Sequence, residues 1–440
     1  MSSILTNNSA MVALQTLKGV NANLAKTQNA ISTGKSVSSA KDNAAVWAIS
    51  KVMESDVESF KGISDSLSLG QSTVAVARQG AETVTDLLTQ MKGKIVAAQE
   101  ENVDRDKIQS DIDALRNQIN SVVGAAQFNG LNLLSNKDSE AGSGTVNVLA
   151  SLDRSGSGVD ASDIGIGKQD LGTEAAGLAA GATALSAANN SIAGVGDAAA
   201  GAVTGATGAA PTVNTTIGGS AGEAVEVGTA FTIAISASAT GAGSPDGSLS
   251  NTSALDDIVY VARDGDTAAD VAAGLAKAFN KYVREDKGLD YEGTISATSD
   301  GNQVSITGAD FTGDNFSVAY NEYEYDAART TIGGGLEDLA DISVATDDGV
   351  EAALLDIEGL LQTSINAAAE FGSAQGRIET QQSFVSGLTD ALKSGIGTLV
   401  DADMEEASAR LQALQVQQQL SVQALSIANQ APQSLLSLFR

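Results

Sequence analysis

The chain has 440 residues, 54 of them acidic and 25 basic, for a formal net charge of −29, and it contains no Cys and no His. The charge argues against nucleic acid and against an anionic membrane surface as partners. The missing residue types remove disulfides, zinc–thiolate sites and histidine bases.

The length leaves room for about two to four domains. The first ten residues, MSSILTNNSA, are polar and lack a basic segment followed by an apolar one. No run approaches the roughly 20 apolar residues of a membrane span. The expectation is a soluble protein, either cytoplasmic or exported without a cleaved signal. Pro occurs only at 211, 245 and 432, which suits long uninterrupted helices in the outer parts of the chain.

In chain order, residues 3–32 read as the first helix. Ala10, Ala13, Leu17, Val20, Leu24, Thr27 and Ile31 alternate three and four apart, and Leu5, Met11, Val12 and Leu14 add apolar area. Ser32 to Lys41 is a polar break. Asp42 is expected to cap a short apolar stretch, Ala44 to Met53, whose Trp47 reads as a packing anchor. The next segment is the most regular. Phe60, Leu67, Val74, Ala81, Leu88 and Ile95 recur every seven residues, and Ile63, Gly70, Ala77, Val84, Met91 and Ala98 stand three further on. That spacing predicts a long coiled-coil-like helix, weakened locally by Gly70, Gly80 and Gly93. A turn over 100–106 precedes a helix at 108–123 with the stripe Ile108, Ile112, Leu115, Ile119 and Val122. Phe128-Asn129-Gly130 is a turn signal, and Thr145 to Leu149 is strand-like.

Residues 172–220 are low-complexity Ala, Gly, Ser and Thr, read as the partly looped entry to an outer module. Alternation at Val225, Val227, Phe231, Ile233 and Ile235 predicts a strand, and 258–261 another. Asp266 or Thr267 caps a helix carrying Val271, Leu275, Phe279 and Tyr282 or Val283. Tyr291 to Ala297, the Asp300-Gly301 turn and Gln303 to Thr307 form a hairpin, and 315–320 is a further strand. Helical period returns with Leu354, Ile357, Leu361, Ala368, Phe371, Ile378 and Val385. Ser394-Gly395-Ile396-Gly397 is expected to interrupt it. The last helix has Asp403 and Glu406 as a capping box. Its stripe is Ala407, Leu411, Leu414, Gln418, Ser421, Leu425, Ala428, Pro432, Leu435 and Phe439, with Leu436 in the Leu-rich tail and Val416, Leu420 and Ile427 as a second apolar row.

The expected fold is therefore mainly α with an α+β insert, the chain folding back like a hairpin with its terminal helices paired as coiled coils. Three parts are expected: 1–41 with 394–440, the paired terminal helices; 42–174 with 346–393, long helices with short β segments; and 175–345, an α+β insert. The terminal stripes either cap a core of their own domain or become ordered when several copies pack. The second reading makes Leu5, Leu17, Val20, Leu24, Ile31, Leu411, Leu414, Leu420, Leu425, Ile427, Leu435, Leu436 and Phe439 assembly residues. Phe60, Leu67, Val74, Leu88, Ile95, Ile357, Leu361, Phe371 and Ile378 would pack the long helices.

Candidate chemistry is sparse. Acidic pairs such as Glu100-Glu101, Asp256-Asp257, Asp347-Asp348 and Glu405-Glu406 read as solvated surface or helix N-terminal charge. No EF-hand loop is present, and Gly333-Gly334-Gly335 lacks the Lys-Ser/Thr of a phosphate loop. No catalytic residue, cofactor or metal is expected.

At both ends the chain resembles the bacterial flagellins. Ala428-Asn429-Gln430, Pro432-Gln433 and Leu435-Leu436 match that family's closing ANQ-x-PQ and Leu-rich tail. Ile31 to Ile49 is similar to its S-A-x-D-D-A-A-G segment, departing at Asn43, where Asp is usual, and at Val46, where Gly is usual. Phe128-Asn129-Gly130 also fits, and the likeness spans about 1–150 and 345–440. The resemblance implies a homopolymeric filament subunit, exported by the flagellar type III apparatus. It makes the three parts an inner layer, a rod and an outer variable domain in turn. The terminal helices would line a narrow channel inside a rod built from 57–127 and 350–393. It further implies an export chaperone on the C-terminal helix and junction and cap proteins as partners. Residues 266–307 look like the βαββ repeat found in many flagellins. Leu88 to Ile95 stands where toll-like receptor five reads other flagellins, with Gln90 for the usual Arg and Gly93 for the usual Glu, so weak activation is expected. A hook–filament junction protein and an adhesive module on the insert are the alternatives.

Overall fold

The computed structural model describes residues 7–155, 158–184, 198–204, 210, 212–239, 257–287, 295–308 and 314–438. Two compact units divide the chain: Met1–Asp65, Ser151–Ala161 and Gln381–Arg440 form one, Ser66–Ala150 and Ser162–Thr380 the other.

The first unit is built on helix α1 (Asn8–Thr33) and helix α6 (Met404–Leu438), which lie antiparallel. Asn7 caps α1, its side chain accepting from the Ala10 N–H at 3.0 Å. Gly34, with φ +70°, ends it in the left-handed conformation that favours glycine. Helix α2 (Ala44–Ala97) begins here and helix α5 (Asp347–Val400) ends here. Three expectations are corrected. The apolar stretch 44–53 is not a separate short helix but the first turns of α2, which continues for 54 residues. Asp42 does not cap it. Asn43 accepts from the Val46 N–H at 3.3 Å, while Asp42 instead accepts from the Ser38 and Ser39 N–H groups and hydroxyls. Gly395 and Gly397 do not interrupt the chain, because both sit inside α5 and the break falls at 401–403. The helical glycine cost of about 1 kcal/mol each is smaller than what a long packed helix recovers. Trp47 is half-buried.

In the second unit, α2 and α5 run antiparallel. Arg78 Nε donates to Gln375, the Thr85 hydroxyl meets that of Ser364 at 2.8 Å, and Lys92 pairs with Glu358. Leu67, Val74, Ala81, Leu88 and Ile95 are fully buried, as are Ile357, Phe371 and Ile378; Leu361 is nearly so and Phe60 is half-buried. Helix α3 (Arg105–Ala125) buries Ile112, Ile119 and Val123, and its cap is Asp104. Strands β1 (Gln127–Phe128) and β2 (Leu131–Asn132) are joined by a two-residue turn, with Asn129 at φ +52° and Gly130 at φ +82°. Strand β3 (Thr145–Ser155) pairs with β4 (Gly158–Gly167), Ser151–Ala161 of the pair falling in the first unit.

The insert belongs to the second unit. Strands β6 (Ala198–Thr204), β8 (Ala230–Ala239), β9 (Val259–Val261) and β12 (Asp314–Tyr323) form an antiparallel sheet in the order β6-β12-β8-β9. Strands β7 (Thr212–Thr216), β10 (Ser296–Asp300) and β11 (Gln303–Thr307) form a second, in the order β10-β11-β7. Short β5 (Gly177–Leu178) pairs with β13 (Thr330–Thr331). Val225 and Val227 are buried but precede the strand expected to contain them. Helix α4 (Ala268–Lys287) packs Val271, Leu275 and Phe279 against Phe231, Ile233, Ile235, Val304, Ile306 and Phe316. Thr267 is its cap, with N–H and hydroxyl both donating to Asp270. The predicted Asp300-Gly301 hairpin is present from Ser296 onward; Tyr291 to Thr294 lie outside the described residues.

Candidate functional site

The site that the chain's pattern singles out is the pair of terminal helices. The antiparallel register is pinned at three levels. At one end, Asn7 Nδ2 donates to the Ala428 carbonyl at 2.8 Å. Midway, Gln418 Nε2 donates to Asn21 Oδ1 at 2.8 Å. At the other end, the two chain breaks are clasped. Lys35 and Asp401 form an isolated antiparallel bridge, the Ser36 N–H donates to the Val400 carbonyl at 2.7 Å, and the Ala402 N–H donates to the Gly34 carbonyl at 3.0 Å.

The clasp has side-chain support. The Ser36 hydroxyl also donates to the Val400 carbonyl at 3.0 Å. Glu54 takes Lys51 at 2.5 Å and Lys35 at 3.4 Å. The hydrogen bond from Lys51, then the nearby Lys35 charge, hold the Glu54 carboxyl below its ordinary pKa against a desolvation that raises it. Asp42 is likewise lowered, by its hydrogen bonds from Ser39 and then Ser38. Asp403 caps α6, accepting from the Glu405 and Glu406 N–H groups at 2.9 and 3.1 Å.

Between these anchors the stripes face each other. Val20, Thr27, Leu414 and Ser421 are buried, and Leu17, Leu24, Ile31, Leu411 and Leu425 are half-buried. The polar members are satisfied locally, Thr27 by the Asn23 carbonyl and Ser421 by the Gln417 carbonyl. Gln418, an interruption in the sequence pattern, serves as a cross-helix donor. The second row stays outside. Val416 is 56 % exposed, Leu420 59 % and Ile427 69 %, and on α1 Met11, Val12 and Leu14 are exposed as well. Leu5 and Phe439 lie outside the described residues, as do the side chains of Leu435 and Leu436.

Sequence reasoning did not find Ser36, Val400 and Asp401. Their part is played mostly by backbone groups, which leave no residue-type signature. Among the described residues, no cluster of three or more acidic or metal-ligating side chains is arranged to hold a metal ion. Among the described residues, no helix is long and apolar enough to cross a membrane.

What this arrangement offers is a helix pair with one seam used and another bare. Two family models match it: the bacterial flagellin N-terminal helical region over residues 4–139 and the bacterial flagellin C-terminal helical region over 354–439. Flagellin A of Rhizobium meliloti is 33 % identical over 448 residues, covering all of both chains. Flagellin A of Rhizobium meliloti strain 1021 is 36 % identical over 443 residues with the same full coverage. A flagellin of Brucella melitensis is 29 % identical over 441 residues, again across both whole chains. Among solved structures, the flagellar hook associated protein-3 of Legionella pneumophila aligns with 79 % of this chain and 98 % of its own at 11 % identity and a TM-score of 0.33. FliC of Burkholderia pseudomallei aligns with 70 % of this chain and 99 % of its own at 13 % identity and a TM-score of 0.29. The sequence matches carry the assignment: the chain belongs to the bacterial flagellin family and is a structural subunit of the extracellular flagellar filament.

Proposed function

We propose that the subunit polymerises by burying the bare faces of its terminal helices against other copies, in a non-closing, head-to-tail arrangement that grows a helical filament. One observation carries this reading. The helix pair leaves Met11, Val12, Leu14, Val416, Leu420, Val422 and Ile427 at 44–69 % exposure, a set of large apolar side chains on a structured surface. In this scheme Leu420 and Ile427 dock directly on other copies, Leu17, Val20, Leu24, Ile31, Leu411, Leu414 and Leu425 hold the α1–α6 seam that presents the bare faces, and Leu5, Leu435, Leu436 and Phe439 take part in assembly on the strength of the sequence pattern. Phe60, Leu67, Val74, Leu88, Ile95, Ile357, Leu361, Phe371 and Ile378 hold the rod that transmits torque as thrust. Residues 1–41 with 394–440 form the assembling part, 42–174 with 346–393 the rod, and 175–345 the outward insert.

The chain travels to the filament tip without losing a signal peptide, and a chaperone covers α6 before export. Junction and cap proteins meet the first and last subunits through the same helices. The test is sedimentation of purified full-length chain and of a variant lacking 404–440, each added to filament fragments as seeds. The full chain is expected to pellet with the seeds and the truncated chain to remain in the supernatant. Equal pelleting would overturn the proposal.

Gln90 and Gly93 are exposed on α2. Neither supplies the charge usual at those positions, so purified monomer is expected to activate toll-like receptor five weakly. Reporter-cell activation at nanomolar concentration would contradict that.

A further inference from the structure

We propose that assembly of the terminal helices is registered by charge, with Lys18 of one copy set against Glu405 of a second copy displaced along the helix axis. The inference rests on the reading that the terminal helices assemble between copies.

In a chain of net charge −29, residues 1–41 carry Lys18, Lys26, Lys35 and Lys41 and no acidic residue. Lys35 is engaged with Glu54. Lys18 and Lys26 are exposed, and among the described residues neither forms an ion pair. The pairing of Asn21 with Gln418 sets Lys18 opposite the stretch of α6 near 418–421. From Ala407 to the end of α6 the sequence contains no carboxylate side chain. The terminal pair therefore holds no anion level with Lys18.

The anions stand elsewhere. Glu405 and Glu406 are exposed in the first turn of α6, opposite the end of α1. Of the cations near that level, Lys35 is engaged with Glu54, and Lys26 and Arg410 line a hollow with Asp403 and Glu406 that does not include Glu405. Helical spacing puts both charges on outward faces. Met11 and Lys18 are seven apart, on the side of α1 away from Val20 and Leu24. Glu405, Val416 and Ile427 share the side of α6 away from Leu414 and Ser421. Lys18 and Glu405 thus lie in the bare apolar seams, where a second copy docks.

The axial offset follows from helix geometry. Glu405 is about 15 residues from the level of Lys18, or roughly 22 Å at 1.5 Å per residue. With α1 of one copy against α6 of another at the same height, Lys18 would meet the uncharged stretch near 418–421 and Glu405 would be left without Lys18. A displacement of roughly 22 Å along the axis brings the two charges together in a heterologous contact. The occupant of the bare seam is accordingly a second copy of this chain, chosen by charge complementarity.

The experiment follows seeded elongation of the full-length chain by light scattering at low salt, with circular dichroism confirming equal helix content. Lys18→Glu and Glu405→Lys are each expected to elongate about tenfold more slowly than the unsubstituted chain, because a charge at the contact edge acts mainly on association. An equimolar mixture of the two variants is expected to recover most of the rate, since each supplies the charge the other has lost. Raising salt to about 0.5 M is expected to shrink the differences. If Lys18→Glu elongates normally, or the mixture is no faster than its components, the charge register is wrong and the filament reading stands. Recovery in the doubly substituted chain but not in the mixture would place the pair within one molecule and also overturn the proposal. Failure of the unsubstituted chain to extend seeds at any salt would overturn both.

Discussion

Gly70 and Gly80 show what a single residue type conceals until its neighbours are known. In the heptad pattern both read as weak points of α2, on a par with Gly93. A Cβ at Gly70 would stand 2.7 Å from both γ-carbons of Val148, and one at Gly80 would stand 2.7 Å from Leu134 Cδ1, whereas Gly93 has no neighbour within 4 Å. The first two are thus openings that admit Val148 of β3 and Leu134 of the turn after β2, and only Gly93 is a plain helix cost. We expect Gly93→Ala to raise stability by up to about 1 kcal/mol. Gly70→Ala and Gly80→Ala should lower it by about 1–3 kcal/mol despite their better helix propensity. Thermal unfolding of the three variants checks this. Asp266 offers a second test. Burial raises its pKa above the ordinary 3.8, although hydrogen bonds from Tyr260 and the Arg263 N–H pull the other way. A carboxyl raised in the folded state binds its proton more tightly there than in the unfolded chain. Its contribution is therefore full below pH 3.8 and is lost as pH rises through the folded-state value. The melting temperature of the native chain relative to Asp266→Asn should fall across that window, and calorimetry at a series of pH values measures it.

Elements were legible wherever one face was apolar and the period was clean. The long heptads of α2, the stripe of α5 and the hairpin at Asp300-Gly301 all follow from spacing, because each buries the face its pattern marks. Boundaries were less legible. Asp42 and Asn43 are both good caps by residue type, and only the local fold decides that Asp42 gathers the Ser38 and Ser39 groups while Asn43 caps α2. The glycines at 395 and 397 look like a break because propensity is local, while the helix through them is held by packing. The insert adds a contact with no sequence signature. Asp264 accepts from the Gly142 N–H at 2.9 Å and the Gly144 N–H at 2.6 Å, and its carbonyl accepts from Asn136 Nδ2 at 3.0 Å. Removing the carboxylate strands the buried Gly144 N–H while the exposed Gly142 N–H turns to water, so Asp264→Ala should destabilise by about 1–2 kcal/mol. Hydrogen exchange should locate the loss at residues 136–144. Unchanged exchange in that loop would show that the bonds contribute little.

For the whole molecule, the apolar stripes of the two ends were legible as pattern, and one face of each forms the seam between α1 and α6. What spacing did not reveal is how the pair is fastened, by Asn7 with Ala428, Asn21 with Gln418, and the clasp of 34–36 with 400–402. Amide exchange in dilute monomer should be fast over 8–33 and 404–430, because this pair buries little on its own, and it should slow by orders of magnitude in the filament. Strong protection in the monomer, unaltered by polymerisation, would contradict assembly through these faces. The clasp has a mechanical corollary. Because the strand leaving α1 and the strand entering α6 are tied backbone to backbone, neither can swivel without carrying the other. A bend at Gly34 must reappear at Ala402, so the two helices turn in step, and load entering this part of the subunit is shared by two covalent crossings instead of resting on one.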